Sequence, residues 1–154
     1  MKKNMGIHST VILFWVCLAC LFSPPALAAT VTYTTHVKVI QAAEGLPHVD
    51  PGIQSIVREM KSVFKYTQYR LIKTQTLTLG ENQEGRMALP GRRTLVMTPV
   101  NRADSRITYR IRIEKNRSPV FRTQVMLLNH SSITIGGPRF KNGVLLFNIQ
   151  GNTP

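Results

Sequence analysis

Apolar positions along the chain follow two periods, and most follow the shorter one. Val31, Tyr33, Val37 and Val39 alternate with Thr32, Thr34, His36 and Lys38, the period of two that sets one side of a strand on a core and the other in water. Gly45 and Pro47 interrupt that strand. Ile53, Ile56, Val57, Met60, Val63 and Phe64 then recur at helical spacing, with Gln54, Arg58, Glu59, Lys61 and Ser62 on the opposite side. Asp50 stands where an N-cap belongs and Pro51 where the missing N–H is harmless, so the pattern predicts one amphipathic helix over about 51–64.

Nearly everything after the helix reads as strand. "YTQYRLIKTQTLTL" runs up to Gly80, and "GRMALPGRRTLVMTPV" holds two short apolar runs that pivot at Pro90 and Gly91. The alternation is cleanest in "SRITYRIRIEK": Ile107, Tyr109, Ile111 and Ile113 point one way, and Arg106, Thr108, Arg110, Arg112 and Glu114 the other. The turn-like "KNRS" leads to "PVFRTQVMLLN", then to "SSITIG" and "GVLLFNIQ". Turn signals recur roughly every 8–15 residues, the rhythm of antiparallel strands rather than of βαβ units. The expected fold is α+β and mostly β: an antiparallel sheet or β-sandwich of about 7–8 strands with the single helix between the first and second strands. With no internal repeat and no long linker, residues 29–154 read as one β-rich domain.

The first residues have a different character. Lys2 and Lys3 precede an uninterrupted apolar run from Val11 to Phe22, followed by Pro24, Pro25 and an A-x-A site at Ala26–Ala28. That is the anatomy of a secretory signal peptide over residues 1–28, and the run is too short for a membrane-spanning helix, which needs about 20 apolar residues. Cleavage near Ala28 would remove both cysteines, Cys17 and Cys20, and leave no transmembrane segment. A periplasmic or secreted chain of about 126 residues follows, held by an apolar core rather than by disulfides.

Charge then narrows the partners. The formal net charge is +13, or +11 once Lys2 and Lys3 are gone. So basic a surface attracts anionic polymers, lipid headgroups or acidic proteins; export makes nucleic acid an unnatural partner. Arg106, Arg110 and Arg112 share a strand face, and Arg122 falls on the next strand if "KNRS" closes a hairpin. Arg139 and Lys141 sit in "GGPRFKNG". That segment has a phosphate-loop look, but "VLLFNI" follows it as a strand, where a phosphate loop needs a helix. Asn142 and Gly143 form a pair suited to a tight turn, so the segment reads as the last hairpin, with Gly136 and Gly137 permitting a bulge. The candidate anion- or partner-binding residues are therefore Arg106, Arg110, Arg112, Arg122, Arg139 and Lys141.

Catalytic constellations are sparse. The seven carboxylates lie mostly at turns, no zinc-protease, Cys-x-x-Cys or nucleophile-elbow motif occurs, and no cofactor site is expected. His48 and Asp50, and His130 beside Ser131, are the only pairs with any catalytic flavour, and adjacency alone does not make a triad.

One resemblance is carried by "TLVMTPV" (Thr94 to Val100), "ITYRIRI" (Ile107 to Ile113) and "SSITIGG" (Ser131 to Gly137). Over about residues 94–137 these resemble pieces of the C-terminal β-domain of bacterial secretins. Leu95, Thr98 and Pro99 match that family's Leu-x-Val-Thr-Pro run, and Ile135, Gly136 and Gly137 match its Ile-Gly-Gly segment. Pro138 stands where the family has an apolar residue. The resemblance implies an envelope protein that associates with other β-rich assemblies. The expected function is non-enzymatic: an interaction or assembly component with an envelope protein partner, accessory to a secretion or surface apparatus. The alternative is a module binding an anionic envelope polymer or lipid headgroup through its basic strand face.

Overall fold

The alternation of "SRITYRIRIEK" is the pattern on which one half of the molecule is built. In the computed structural model, which describes residues 32–103 and 105–152, Ile107, Tyr109, Ile111 and Ile113 are wholly buried. The leader expected over residues 1–28 and the strand position Val31 lie outside the described residues. The elements run β1 (Thr32–Ala43), β2 (His48–Val49), α1 (Gln54–Met60), β3 (Gln68–Gly80), β4 (Gly85–Leu89), β5 (Arg93–Ala103), β6 (Arg106–Lys115), β7 (Ser118–Leu128), β8 (Ser132–Phe140) and β9 (Gly143–Asn152). The fold is mostly β, as the periodicity predicts, with one short helix between β2 and β3.

The strands form two sheets, β2-β3-β1-β9-β8 and β4-β5-β6-β7, antiparallel throughout except for the short β2–β3 pair. Tyr33, Val37 and Val39 of β1 and Leu145, Phe147 and Ile149 of β9 share a core with Leu95, Met97 and the four inward residues of β6. Within this apolar layer the Thr35 and Tyr109 hydroxyls meet at 2.7 Å, both residues fully buried, so a hydrogen bond joins the two sheets inside the core. Burial pushes the Tyr109 phenol up from its ordinary pKa, against the lowering effect of that bond.

A second, smaller core lies on the outer face of the five-stranded sheet. α1 sets Ile53, Ile56, Val57 and Met60 on Ile40, Ala42, Tyr69 and Leu146. β3 turns side chains to both faces of its sheet because the register slips beside Ile72: Val39 pairs with Lys73, but Ile40 pairs with Leu71. An extra residue reverses the facing of a strand. Tyr69 and Leu71 thus meet the helix side, while Leu77 and Leu79 pack towards Gly85 in the other sheet.

α1 is shorter than the pattern predicts, and Asp50 is not its cap. The N-cap position is Ile53, without a side-chain cap. Asp50 instead accepts the Leu71 N–H at 2.8 Å and faces His48 Nε2 at 2.7 Å, so its carboxylate is drawn across to β3. Gly52, at φ +82, turns the chain out of the helical path after Pro51. At the other end, Val63 N and Phe64 N both return to the Met60 carbonyl, and Val63 stands exposed.

Strand directions collect three tight turns at one end, here the upper end: Pro90–Arg92, Asn116–Arg117 and Lys141–Asn142. The last hairpin forms as predicted, and its register slips between Gly136 and Arg139. Its left-handed residue is Lys141 (φ 52), however, and Gly143 already belongs to β9. Gly143 is required for closeness instead, because a Cβ there would lie 2.0 Å from the Ala42 carbonyl oxygen.

The bond between the sheets is directly testable. Tyr109→Phe or Thr35→Val leaves one buried hydroxyl without its partner and should cost about 1–3 kcal/mol in urea unfolding. The double variant removes both polar groups and should cost clearly less than the two single losses together. Strictly additive losses would show that the bond contributes no coupling.

Candidate functional surface

The outer face of the four-stranded sheet is where the predicted arginines gather. β6 and β7 do pair through a two-residue turn, with Asn116 and Arg117 both left-handed, as an Asn-containing hairpin turn requires. Arg112 lies opposite Arg122, Arg110 opposite Gln124 and Arg106 opposite Leu128. Arg110, Arg112 and Arg122 border one shallow depression.

These arginines are not equivalent. Arg112 Nη2 lies 2.6 Å from Glu84 Oε1 and its Nε lies 2.8 Å from Glu114 Oε1. Arg86 reaches the other oxygens of the same two carboxylates, at 3.3 Å from Glu84 and 3.1 Å from Glu114. The four side chains make a closed ring that spans β4 to β6 over β5. The Arg112 hydrogen bonds hold the carboxyls of Glu84 and Glu114 below their usual range, and the two carboxylates raise the Arg112 guanidinium in turn. Arg112 is therefore committed within the protein. Arg106, Arg110 and Arg122 are exposed and join none of the ion pairs among the described residues.

Arg139 and Lys141 stand elsewhere. They belong to the β8–β9 hairpin of the other sheet, where Arg93 Nη1 donates to the Arg139 carbonyl at 2.9 Å and the Lys141 ammonium sits 5.5 Å from the centre of the Phe140 ring. The six candidates thus divide into an arginine face and a separate upper-end pair.

Sequence reasoning missed the apolar part of this surface. β7 ends its sheet, pairing with β6 alone among the described strands. Its inward residues Val125 and Leu127 are buried, whereas Met126 and Leu128 remain 58% and 56% exposed and Val120 is half exposed. The signal was the unbroken run Val125–Leu128: on an edge strand, alternation must turn half of such a run outward.

The histidine pairs have structural work. His48 and Asp50 do meet, but Asp50 spends its other oxygen on Leu71, which clamps β2 to β3. Hydrogen bonding to His48, then to the Leu71 amide, lowers the Asp50 carboxyl below its ordinary range. Two hydroxyls in the adjoining cleft are committed: Thr67 Oγ1 donates to the Gly45 carbonyl and accepts the Gly45 N–H, and Tyr69 donates to the Phe64 carbonyl. Ser131 donates to the Leu128 carbonyl, and His130 occupies a left-handed turn position. Among the described residues no group of three His, Cys, Asp or Glu side chains could hold a metal ion, and no helix is long and apolar enough to cross a membrane.

Comparison with protein-family models, with curated proteins and with solved structures gives no match to this chain.

Two arginine substitutions separate the committed group from the free one. Arg112→Ser opens the ring and leaves both Glu84 and Glu114 to Arg86 alone, so the thermal midpoint at neutral pH should fall by roughly 5 °C. Arg122→Ser should leave it nearly unchanged. Because both carboxyls are lowered in the folded state, the ring stabilises above the unfolded carboxylate range and is lost as pH falls through the lowered values. The gap between wild type and Arg112→Ser should therefore close in acid; a gap that persists there would show that the loss is not electrostatic.

Proposed function

We propose that this protein is a non-enzymatic interaction component of the cell envelope, exported to the periplasm or beyond, that holds an acidic, extended segment of a partner protein along β7. The observation that carries the reading is the edge of the four-stranded sheet. β7 offers a backbone row that no other described strand pairs and that is closed only at the Leu128 carbonyl by Ser131. It also offers the exposed side chains of Val120, Met126 and Leu128, and the arginines Arg106, Arg110 and Arg122 beside them. Main-chain bonds along such an edge supply affinity, apolar side chains supply contact area, and the cations select the sign of the partner. An edge this apolar is otherwise an invitation to aggregation, and a partner strand removes that liability.

Other features agree with this assignment. Tyr33, Tyr69 and Tyr109 are buried, so the arginine face has no tyrosine for base stacking, which favours protein over nucleic acid. Arg112 is tied into its ring, which weakens the alternative of an anionic polymer bound to the basic strand face as a whole. The leader-like residues 1–28 support export, and the resemblance to the secretin β-domain supports an accessory place beside a secretion or surface apparatus.

The test is a photo-crosslinking residue placed at Met126, with a control at Thr78 on the far sheet, in intact envelopes. The expected result is one discrete adduct from position 126, absent from position 78 and abolished by Arg110→Glu with Arg122→Glu. Adducts alike from both positions, adducts indifferent to the charge reversal, or no adduct at all would sink the proposal. An adduct of twice the chain mass would replace the partner with a second copy of this protein.

A further inference from the structure

The three hairpin turns at the upper end share a feature unrelated to the β7 edge. Arg92 (φ 54), Arg117 (φ 65) and Lys141 (φ 52) all stand in the left-handed region of backbone space. Glycine occupies such positions most cheaply because it has no Cβ to meet the carbonyl oxygen, and asparagine and aspartate offset that contact by local hydrogen bonds that arginine and lysine do not make. Each turn nevertheless carries a cation at a left-handed position. A turn that only reversed the chain would gain from glycine there, so the cations are what these turns retain.

Their neighbours reinforce the charge. Lys115 precedes the second turn and Arg139 leads into the third, both exposed. Arg93, through its bond to the Arg139 carbonyl, ties the first turn to the third and fixes their spacing. Among the described carboxylates, Glu44, Asp50 and Glu114 lie towards this end; Glu114 is held in the ring of Arg86 and Arg112, and Asp50 by His48 and the Leu71 amide.

The same end presents an apolar point. Asn142 Nδ2 donates to the Glu44 carbonyl at 3.4 Å, which draws the loop after β1 beside the third turn. Gly45, locked in both directions to Thr67, holds that loop in place. Leu46 follows and is 85% exposed, the most exposed large apolar residue of the described surface. A rigidly held leucine among cations matches the layering of a bilayer surface, with anionic headgroups outside and acyl chains beneath.

We propose that the upper end is a membrane-docking tip, in which Arg92, Arg117 and Lys141 bind the headgroups of anionic phospholipids and Leu46 enters the interface. This assignment does not depend on the β7 reading, because it concerns different residues at a different part of the molecule. A free polyanion would satisfy the cations but would have no use for the leucine.

Sedimentation with phosphatidylcholine vesicles, with and without about one-third phosphatidylglycerol, tests it. The informative variant is Arg92→Gly with Arg117→Gly and Lys141→Gly, since glycine suits all three backbone positions and the fold should keep its thermal midpoint. Its additional binding to the anionic vesicles should fall by about a hundred-fold, at roughly fivefold per cation. A control of equal charge, Arg106→Ser with Arg110→Ser and Arg122→Ser, should keep most of that binding. Leu46→Ser should weaken vesicle binding several-fold without changing retention by inorganic polyphosphate. Equal losses in the two triple variants would mean that net charge alone draws the protein to vesicles, and would overturn the tip. Vesicle binding indifferent to Leu46→Ser, or no preference for the anionic vesicles, would overturn membrane docking as well.

Discussion

β1 has to serve two cores at once. Its odd-numbered residues from Tyr33 to Val39 close the layer between the sheets, while Ile40 and Ala42 lie beneath α1 on the other side. Only the second half of β1 is buried on both faces, since His36 and Lys38 keep its first half open to water on the outer side, and the buried half needs neighbours that are equally divided. β9 meets the demand with Leu145 and Phe147 inward and Leu146 outward. β3 meets it only by means of the extra residue beside Ile72, which hands Tyr69 and Leu71 to the helix and Leu79 to the sheets. Gly143 is the cost of drawing β9 tightly against Ala42 and Ala43. No cysteine occurs anywhere in the described span, so this packing, with the hydroxyl bond between Thr35 and Tyr109 inside it, has no covalent substitute.

Charge is placed outside the two cores. On the five-stranded sheet Lys38 stands on the outer face of β1 and donates to the Gly52 carbonyl. Arg106, Arg110, Arg112 and Arg122 lie on the outer face of the other sheet, and Arg92, Arg117 and Lys141 on the turns. On the sheet face, two of the chain's seven carboxylates are consumed in pinning Arg86 and Arg112. Arg106, Arg110 and Arg122 join none of the ion pairs among the described residues, so that face attracts anions by scarcity of acids as much as by possession of arginines.

Much of the architecture was legible in the sequence, because it rests on alternation. Ile107 to Ile113 could hardly be read otherwise, and the hairpins at Pro90–Gly91, Asn116 and Asn142 declared themselves by turn residues between apolar runs. What escaped the sequence depended on contacts between distant residues. Asp50 looked like a helix cap, and only its nearness to Leu71 and His48 shows why it is not one. Arg112 was indistinguishable from Arg110 until Glu84, from the other side of β5, closed on it. Arg139 and Lys141 were grouped with the sheet-face arginines by charge alone, and topology parts them. The residues that resemble secretins are spent on packing and bends here: Leu95 is in the core, Pro99 borders a register slip, and the Gly136–Gly137 pair opens another.

The pairing of β1 with β9 also sets where the chain enters and leaves the domain. Thr34 lies opposite Asn152, at the end away from the three tight turns. Entry and exit therefore share one pole, while the turns occupy the other, separated by the length of a 12-residue strand, about 40 Å. A molecule standing on its turns would hold the start of β1 and the end of β9 clear of the surface beneath it. It would also raise the whole length of β7 upright, open from the side along its full height.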